Sequence, residues 1–166
     1  MITVPVYNMI ILPGVTFYFQ GSYFRELSGT EAAVGDEIVF LVVKEEKEKK
    51  DLKPEDFETV GVFGTVESIN EEGSVGIRTQ KRITVEAVIS EGESLTVTFS
   101  DREEDDDISQ EEKSTRFVAL RSALLQFVSG FQWGMIVRSY IMQWKSMGEM
   151  TAMMSSRLTI SPNEKY

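Results

Sequence analysis

The sequence predicts an α+β chain: a β amino-terminal part followed by a small helical subdomain. Three observations carry this reading. Apolar and polar residues alternate through 75–89 and again at Leu95, Val97 and Phe99, the period of a half-buried strand. "EIVFLVVK", residues 37–44, is nearly all apolar, as in a strand covered on both faces in the middle of a sheet. After residue 115 the period lengthens, and Phe117, Leu120, Leu124, Phe127 and Phe131 recur at spacings of three and four, the mark of an amphipathic helix. The expected division is a β domain with one short helix over 1–100, an acidic linker over 101–114 and helices over 115–166.

Taken in order, "IILPGVTFYF" (10–19) sets Pro13 and Gly14 inside a run of β-branched and aromatic side chains. A strand interior disfavours both, because proline donates no ladder hydrogen bond and glycine packs nothing. "SYFRELSGTEAAV" (22–34) suits a short helix, with Gly29 weakening its middle by roughly 1 kcal/mol relative to alanine. "VGVFGTVESI" (60–69) is joined by "NEEG" to a long strand, and Gly73 can take the positive φ of a tight hairpin turn. In that long strand Val75, Ile77, Ile83, Val85, Ala87 and Ile89 share one parity, expected to face the core, while Arg78, Arg82, Thr84 and Glu86 take the other. The amphipathic helix is expected to end between Gly130 and Gly134. "MIVRSYIMQWK" (135–145) is then apolar nearly all round, and "MGEMTAMMSSRL" (147–158) adds four methionines. Methionines in such numbers either fill gaps between packed helices or offer a soft surface to varied apolar partners.

Composition narrows the chemistry. The chain has 166 residues, 42% hydrophobic and 27% charged, enough for a core. It holds no cysteine and no histidine. Disulfides, thiolate metal sites, histidine-ligated zinc and Ser-His-Asp catalysis are therefore unavailable, and any catalysis would fall to carboxylates, Lys or Tyr. No apolar run approaches the roughly 20 residues of a membrane span, and no basic segment precedes an apolar one at the start, so a cytoplasmic protein without membrane partners is expected. The net charge of -10 repels phosphate backbones and argues against nucleic-acid binding through a general basic surface. Two charged runs, "KEEKEKKDLKPEDFE" (44–58) and "SDREEDDDISQEEKS" (100–114), read as solvated loops. A calcium loop needs a central glycine, and residues 101–107 contain none, so no metal site is expected.

With these residues in view, "VPVYNMIILPG" resembles the opening of the amino-terminal substrate-recognition domain of Lon, the ATP-dependent protease. That opening typically reads Leu-Pro-Leu-Arg-Asp, three aliphatics, then Phe-Pro-Gly. Val4, Pro5, Val6, Met9, Ile10, Ile11, Pro13 and Gly14 fall in register, with Leu12 in the place of Phe. "VGVFGTVESI" and "GSVGIRTQKRITV" are similar to the family's Val-Gly-Thr-Val-Ala strand and its Gly-Thr-Val strand ending in Gln-Arg-Val. "LRSALLQF" is similar to the first helix after the sheet, and "SSRLTISPNEKY" to the segment leading into the next long helix.

The resemblance implies a PUA-like β-barrel or twisted sheet in which "ILPG" is a corner. Pro13 would pre-set φ at the second position of a turn, and Gly14 would follow at positive φ. It further implies a non-catalytic recognition and assembly domain that binds unfolded or damaged polypeptides, within a longer, hexameric protease that uses ATP and Mg. This chain holds no Gly-x-x-x-x-Gly-Lys-Ser/Thr loop, so no cofactor is expected here. Candidate substrate-binding residues are Trp133, Tyr140, Trp144 and Met147, on segments too apolar to hide on one helical face; burial against the barrel or a neighbouring subunit is their competing fate. Two other readings stay open. A freestanding PUA-like module for RNA or a small molecule would need Lys and Arg clustered beside exposed aromatics, for which Arg78, Lys81 and Arg82 are the compact candidates. An enzyme built on the 101–107 carboxylates would lack a frame to hold catalytic geometry.

Overall fold

Strand Glu37–Val43 organises the β part, because its two faces feed two different cores. Ile38, Phe40 and Val42 pack with Val4, Phe19, Phe24, Val66 and Ile77. Val39, Leu41 and Val43 pack with Leu52, Phe57, Ile83, Val88 and Val97. The continuous apolar run of the sequence is thus a strand with no solvent face. The computed structural model describes residues 1–92, 94–103 and 108–155. These divide into a β unit, Met1–Arg102, and a helical unit, Glu103–Met154.

The β unit runs β1 (Ile2–Tyr7), β2 (Thr16–Gln20), α1 (Gly21–Ser28), β3 (Glu37–Val43), β4 (Phe57–Ile69), β5 (Ser74–Glu91) and β6 (Ser94–Asp101). One mixed sheet has the order β1-β3-β4-β5-β2, and β6 also pairs with β5. β5 serves three neighbours because it is long: Ser74–Arg78 pairs with β2, and Ile83–Glu91 with β6. β1 and β3 are parallel; the other pairs are antiparallel.

The Pro13–Gly14 corner has the expected form, with Gly14 at φ +83°. Ile10, Ile11 and Leu12 before it are buried outside any strand. Thr79 of β5 holds this corner. Its hydroxyl accepts from the Val15 N–H at 3.0 Å and lies 2.7 Å from the carbonyls of Leu12 and Val15. Its backbone carbonyl accepts from the Gly14 N–H at 3.0 Å, and its N–H donates to the Val15 carbonyl at 2.9 Å. Asn8, at φ 52°, turns the chain away from β1 in the left-handed region that asparagine tolerates.

Three expectations change. Gly29 does not sit mid-helix; it ends α1, at φ +81°, with its N–H on the Arg25 carbonyl at 2.8 Å. In β5 the register against β6 shifts between Val85 and Ala87, so Val88 turns inward while Ala87 and Ile89 are exposed. One extra residue in the strand inverts the alternation beyond it. The 44–58 run is not a plain solvated loop. Lys47 and Asp56 form an ion pair across it, the Asp56 carboxylate also accepts from the Lys53 N–H at 2.9 Å, and Leu52 is buried in the second core.

The helical unit holds α2 (Gln110–Ser129), α3 (Gly134–Gln143) and α4 (Met147–Ser155). α2 begins within the stretch expected to be linker, capped by Ser109, whose hydroxyl accepts from the Glu112 N–H at 3.2 Å. Glu111 and Glu112 in its first turn suit the positive end of the helix dipole. Most of the acidic run 101–107, and the tail segment similar to the lead into a further helix, lie outside the described residues.

Candidate functional site

α2 carries fewer buried side chains than its sequence period suggests. Phe117, Leu120 and Leu124 are half-buried, as expected, but the stripe continues to Val128, and Phe127 is 64% exposed. At 100° per residue the covered face drifts one position over the last turn, leaving Phe127 on the solvent side.

The corner that follows is tight. The Phe131 N–H reaches the Val128 carbonyl at 3.1 Å, and the Gly134 N–H reaches the Phe131 carbonyl at 2.9 Å. A Cβ on Gly134 would lie 2.0 Å from the Val128 carbonyl oxygen, so only glycine fits. This geometry stacks three aromatic rings in the open. Phe127 meets Phe131 edge-on at 5.1 Å between centroids, and Phe131 stacks on Trp133 at 4.7 Å and 13°. Trp133 caps α3 with its carbonyl, which accepts from the N–H groups of Ile136 and Val137 at 3.1 and 3.3 Å.

α3 extends the surface. Gly134 and Ile141 are its buried edge. Tyr140, two turns beyond Trp133, shares its face, with Ile136 beside them; Trp133 is 50% exposed, Tyr140 59% and Ile136 65%. Met135 and Met142 are exposed on another side of the helix. Of the four candidate binding residues, Trp133 and Tyr140 thus belong to one exposed surface. Trp144, at the end of α3, and Met147, opening α4, are half-buried. Phe127 and Phe131 complete the surface although their spacing placed them on a buried face. The one sequence signal for Phe131 was its place between two glycines, outside any helix.

These side chains offer contact area and polarisable rings rather than proton transfer. Among the described residues no three Asp or Glu side chains gather as metal ligands would. No described helix is long and apolar enough to cross a membrane. The basic candidates on β5 do not make an open cluster: Lys81 pairs with Asp101 at 2.5 Å and lies over the Phe63 ring at 5.5 Å, and Arg82 is half-buried. A cleft of about 660 Å³ opens beside the start of α1, lined by Gln20, Ser22, Asn70 and Ser74 among others. Two of its polar side chains are already engaged, the Asn70 Oδ1 accepting from the Ser74 N–H at 2.7 Å and Arg25 pairing with Glu31 at 3.1 Å.

Comparison with solved structures gives the N-terminal domain of a Mycobacterium avium complex Lon protease, at TM-score 0.59 and 13% identity, covering 99% of this chain and 86% of that one. The Lon N-terminal domain protein from Xanthomonas campestris aligns at TM-score 0.46 and 12% identity, covering 99% and 86%. The first likeness shows the fold, the mixed sheet with helices described above. Comparison with curated proteins gives no match. The profile of the ATP-dependent protease La (LON) substrate-binding domain matches residues 1–166. The chain belongs to the substrate-binding domain family of the Lon ATP-dependent protease.

Proposed function

We propose that the helical unit binds exposed apolar stretches of unfolded or damaged polypeptides, and that the domain delivers them, in the cytoplasm, to the ATP-driven, Mg-using proteolytic part of a Lon-type protease. The domain itself contributes recognition and, through the β unit, which we take to be PUA-like, a frame for assembly with further subunits. The observation that carries this reading is the stack of Phe127, Phe131 and Trp133, three large rings held together in solvent. Soluble proteins seldom keep contiguous apolar surface exposed without a partner for it. An unfolded chain supplies such a partner in many sequences, and stacked rings with neighbouring methionines adapt to varied side chains.

The test is a titration of the 166-residue chain into a fluorescently labelled, permanently unfolded protein, read by anisotropy. Binding in the tens of micromolar is expected. The double substitution Phe131→Ser, Trp133→Ser should weaken it at least tenfold. Absence of binding up to about 100 µM would overturn the reading.

A further inference from the structure

The stretch of sequence that carries the recognition surface, residues 113–148, is charged oppositely to the rest of the chain. Between Glu112 and Glu149 there is no acidic residue, in a sequence that holds 27 of them, and Lys113, Arg116, Arg121, Arg138 and Lys145 fall in that interval. Residues 1–102 carry eighteen acids against ten bases, a balance of -8. From these facts and the exposed rings we infer that the surface selects apolar client segments that also carry Asp or Glu, and discriminates against those carrying Lys or Arg. The inference rests on the recognition reading above and deepens it.

The five cations are not equally available. Arg116 is held by Glu112 at 2.6 Å, and Arg121 lies over the Phe117 ring at 4.6 Å. Arg138 stands exposed beside Met135 and Met142, three residues before and four after it on α3, and pairs with no carboxylate among the described residues. Lys145 is exposed next to Trp144 and its ammonium likewise meets no carboxylate among them. Of the described acids that bound the interval, two are distant and one lies beside Lys145. Glu111 and Glu112 sit about 22 Å from Phe127 along α2, more than two screening lengths at physiological salt. The Glu149 carboxylate accepts from the Lys145 N–H at 2.7 Å. A client segment crossing α3 from the rings to the Met135 and Met142 side therefore passes from aromatic contact to the positive charge of Arg138, with Lys145 beyond the end of the helix, and neither cation is ion-paired among the described residues.

A short segment fits this arrangement better than an extended polyanion. Charges interact over about 8 Å at physiological salt, so a few client residues feel the local surface alone. A nucleic acid or an anionic membrane is large enough to approach the acidic remainder of the molecule as well, where a net charge of -10 opposes it.

The test uses three labelled peptides with the same aromatic and aliphatic residues, flanked by Glu, by Ser or by Lys, titrated with the whole chain at low and at about 0.5 M salt. The Glu-flanked peptide should bind about tenfold more tightly than the Lys-flanked one at low salt, with the gap closing at high salt. The double substitution Arg138→Glu, Lys145→Glu should reverse the ranking. Equal affinity for the Glu and Lys peptides, with the Ser peptide still bound, would overturn the charge preference and leave the recognition reading standing. Failure of all three to bind would remove both. Tighter binding of a single-stranded oligonucleotide or of anionic vesicles than of the Glu peptide would overturn the inference in favour of a polyanion.

Discussion

Thr79 is the residue on which the amino-terminal corner depends. It is 1% exposed, and its single hydroxyl serves both the Val15 N–H and the carbonyls of Leu12 and Val15. Thr79→Val keeps the shape and removes the hydroxyl, leaving a buried N–H without its acceptor; a loss of about 2 kcal/mol in chemical denaturation is expected. Thr79→Ser, which keeps the hydroxyl, should lose less. Thr79 shares the parity of Val75 and Ile77, but its partners lie more than sixty residues away, beyond any local pattern. The Lys47–Asp56 pair makes a second prediction. The hydrogen bond from Lys47, then the Lys53 N–H, hold the Asp56 carboxyl below its ordinary value of 3.8, and the same bond to Asp56 raises Lys47 above 10.5. A lowered carboxyl contributes stability that is present above its unfolded pKa and lost as pH falls through the folded one. A raised amine contributes stability that is present below its unfolded pKa and lost as pH rises through the folded one. The stability gap between the parent and Asp56→Asn should therefore be level from about pH 5 to 9 and shrink in more acid solution, as urea midpoints across pH would record.

Among the elements, the α2–α3 corner couples fold to the proposed client binding most directly, since it places Phe131 and Trp133. Gly134→Ala would drive a methyl group into the Val128 carbonyl. The corner must open, and the ring stack with it. Both tryptophans of the chain, Trp133 and Trp144, lie in the helical unit, so their emission reports on that unit alone. Gly134→Ala should shift this emission and weaken binding of an unfolded protein at least tenfold, while the β circular-dichroism signal stays unchanged. Elements were legible in the sequence wherever one period ran unbroken. β3 announced itself by six consecutive apolar positions, 38–43, all of them buried, and the β4–β5 turn by Gly73, at φ +76°. The β5 bulge at 85–87 was not legible, because an inserted residue leaves hydrophobic content unchanged and alters only which face receives it. The last turn of α2 failed for a related reason: Phe127 and Val128 are both apolar, and only the packed helix decides which is covered. Of the residues on the exposed aromatic surface, the sequence singled out Trp133 and Tyr140. Phe127 and Phe131 were misplaced because an apolar residue at helical spacing looks the same whether its face is covered or bare.

At the scale of the whole molecule, charge restrains what the rings would otherwise do. Phe127, Phe131, Trp133 and Tyr140 are exposed in the same unit, and two copies of the chain could bury these surfaces against each other. At pH 7 each copy carries -10, and that repulsion opposes any contact without strong complementarity. Near the sequence pI of about 4.6 the repulsion vanishes while the apolar surface is unaltered. The parent chain should therefore associate reversibly at about pH 5 and remain monomeric at pH 7, as light scattering would measure. The double substitution Phe131→Ser, Trp133→Ser should stay monodisperse at both pH values, since removing two rings changes no charge. Added salt at pH 7 should promote association of the parent in part, because screening weakens the repulsion without neutralising it. If parent and variant associated equally at pH 5, the adhesive surface would lie elsewhere than on the stacked rings, and their exposure would need another explanation than client capture.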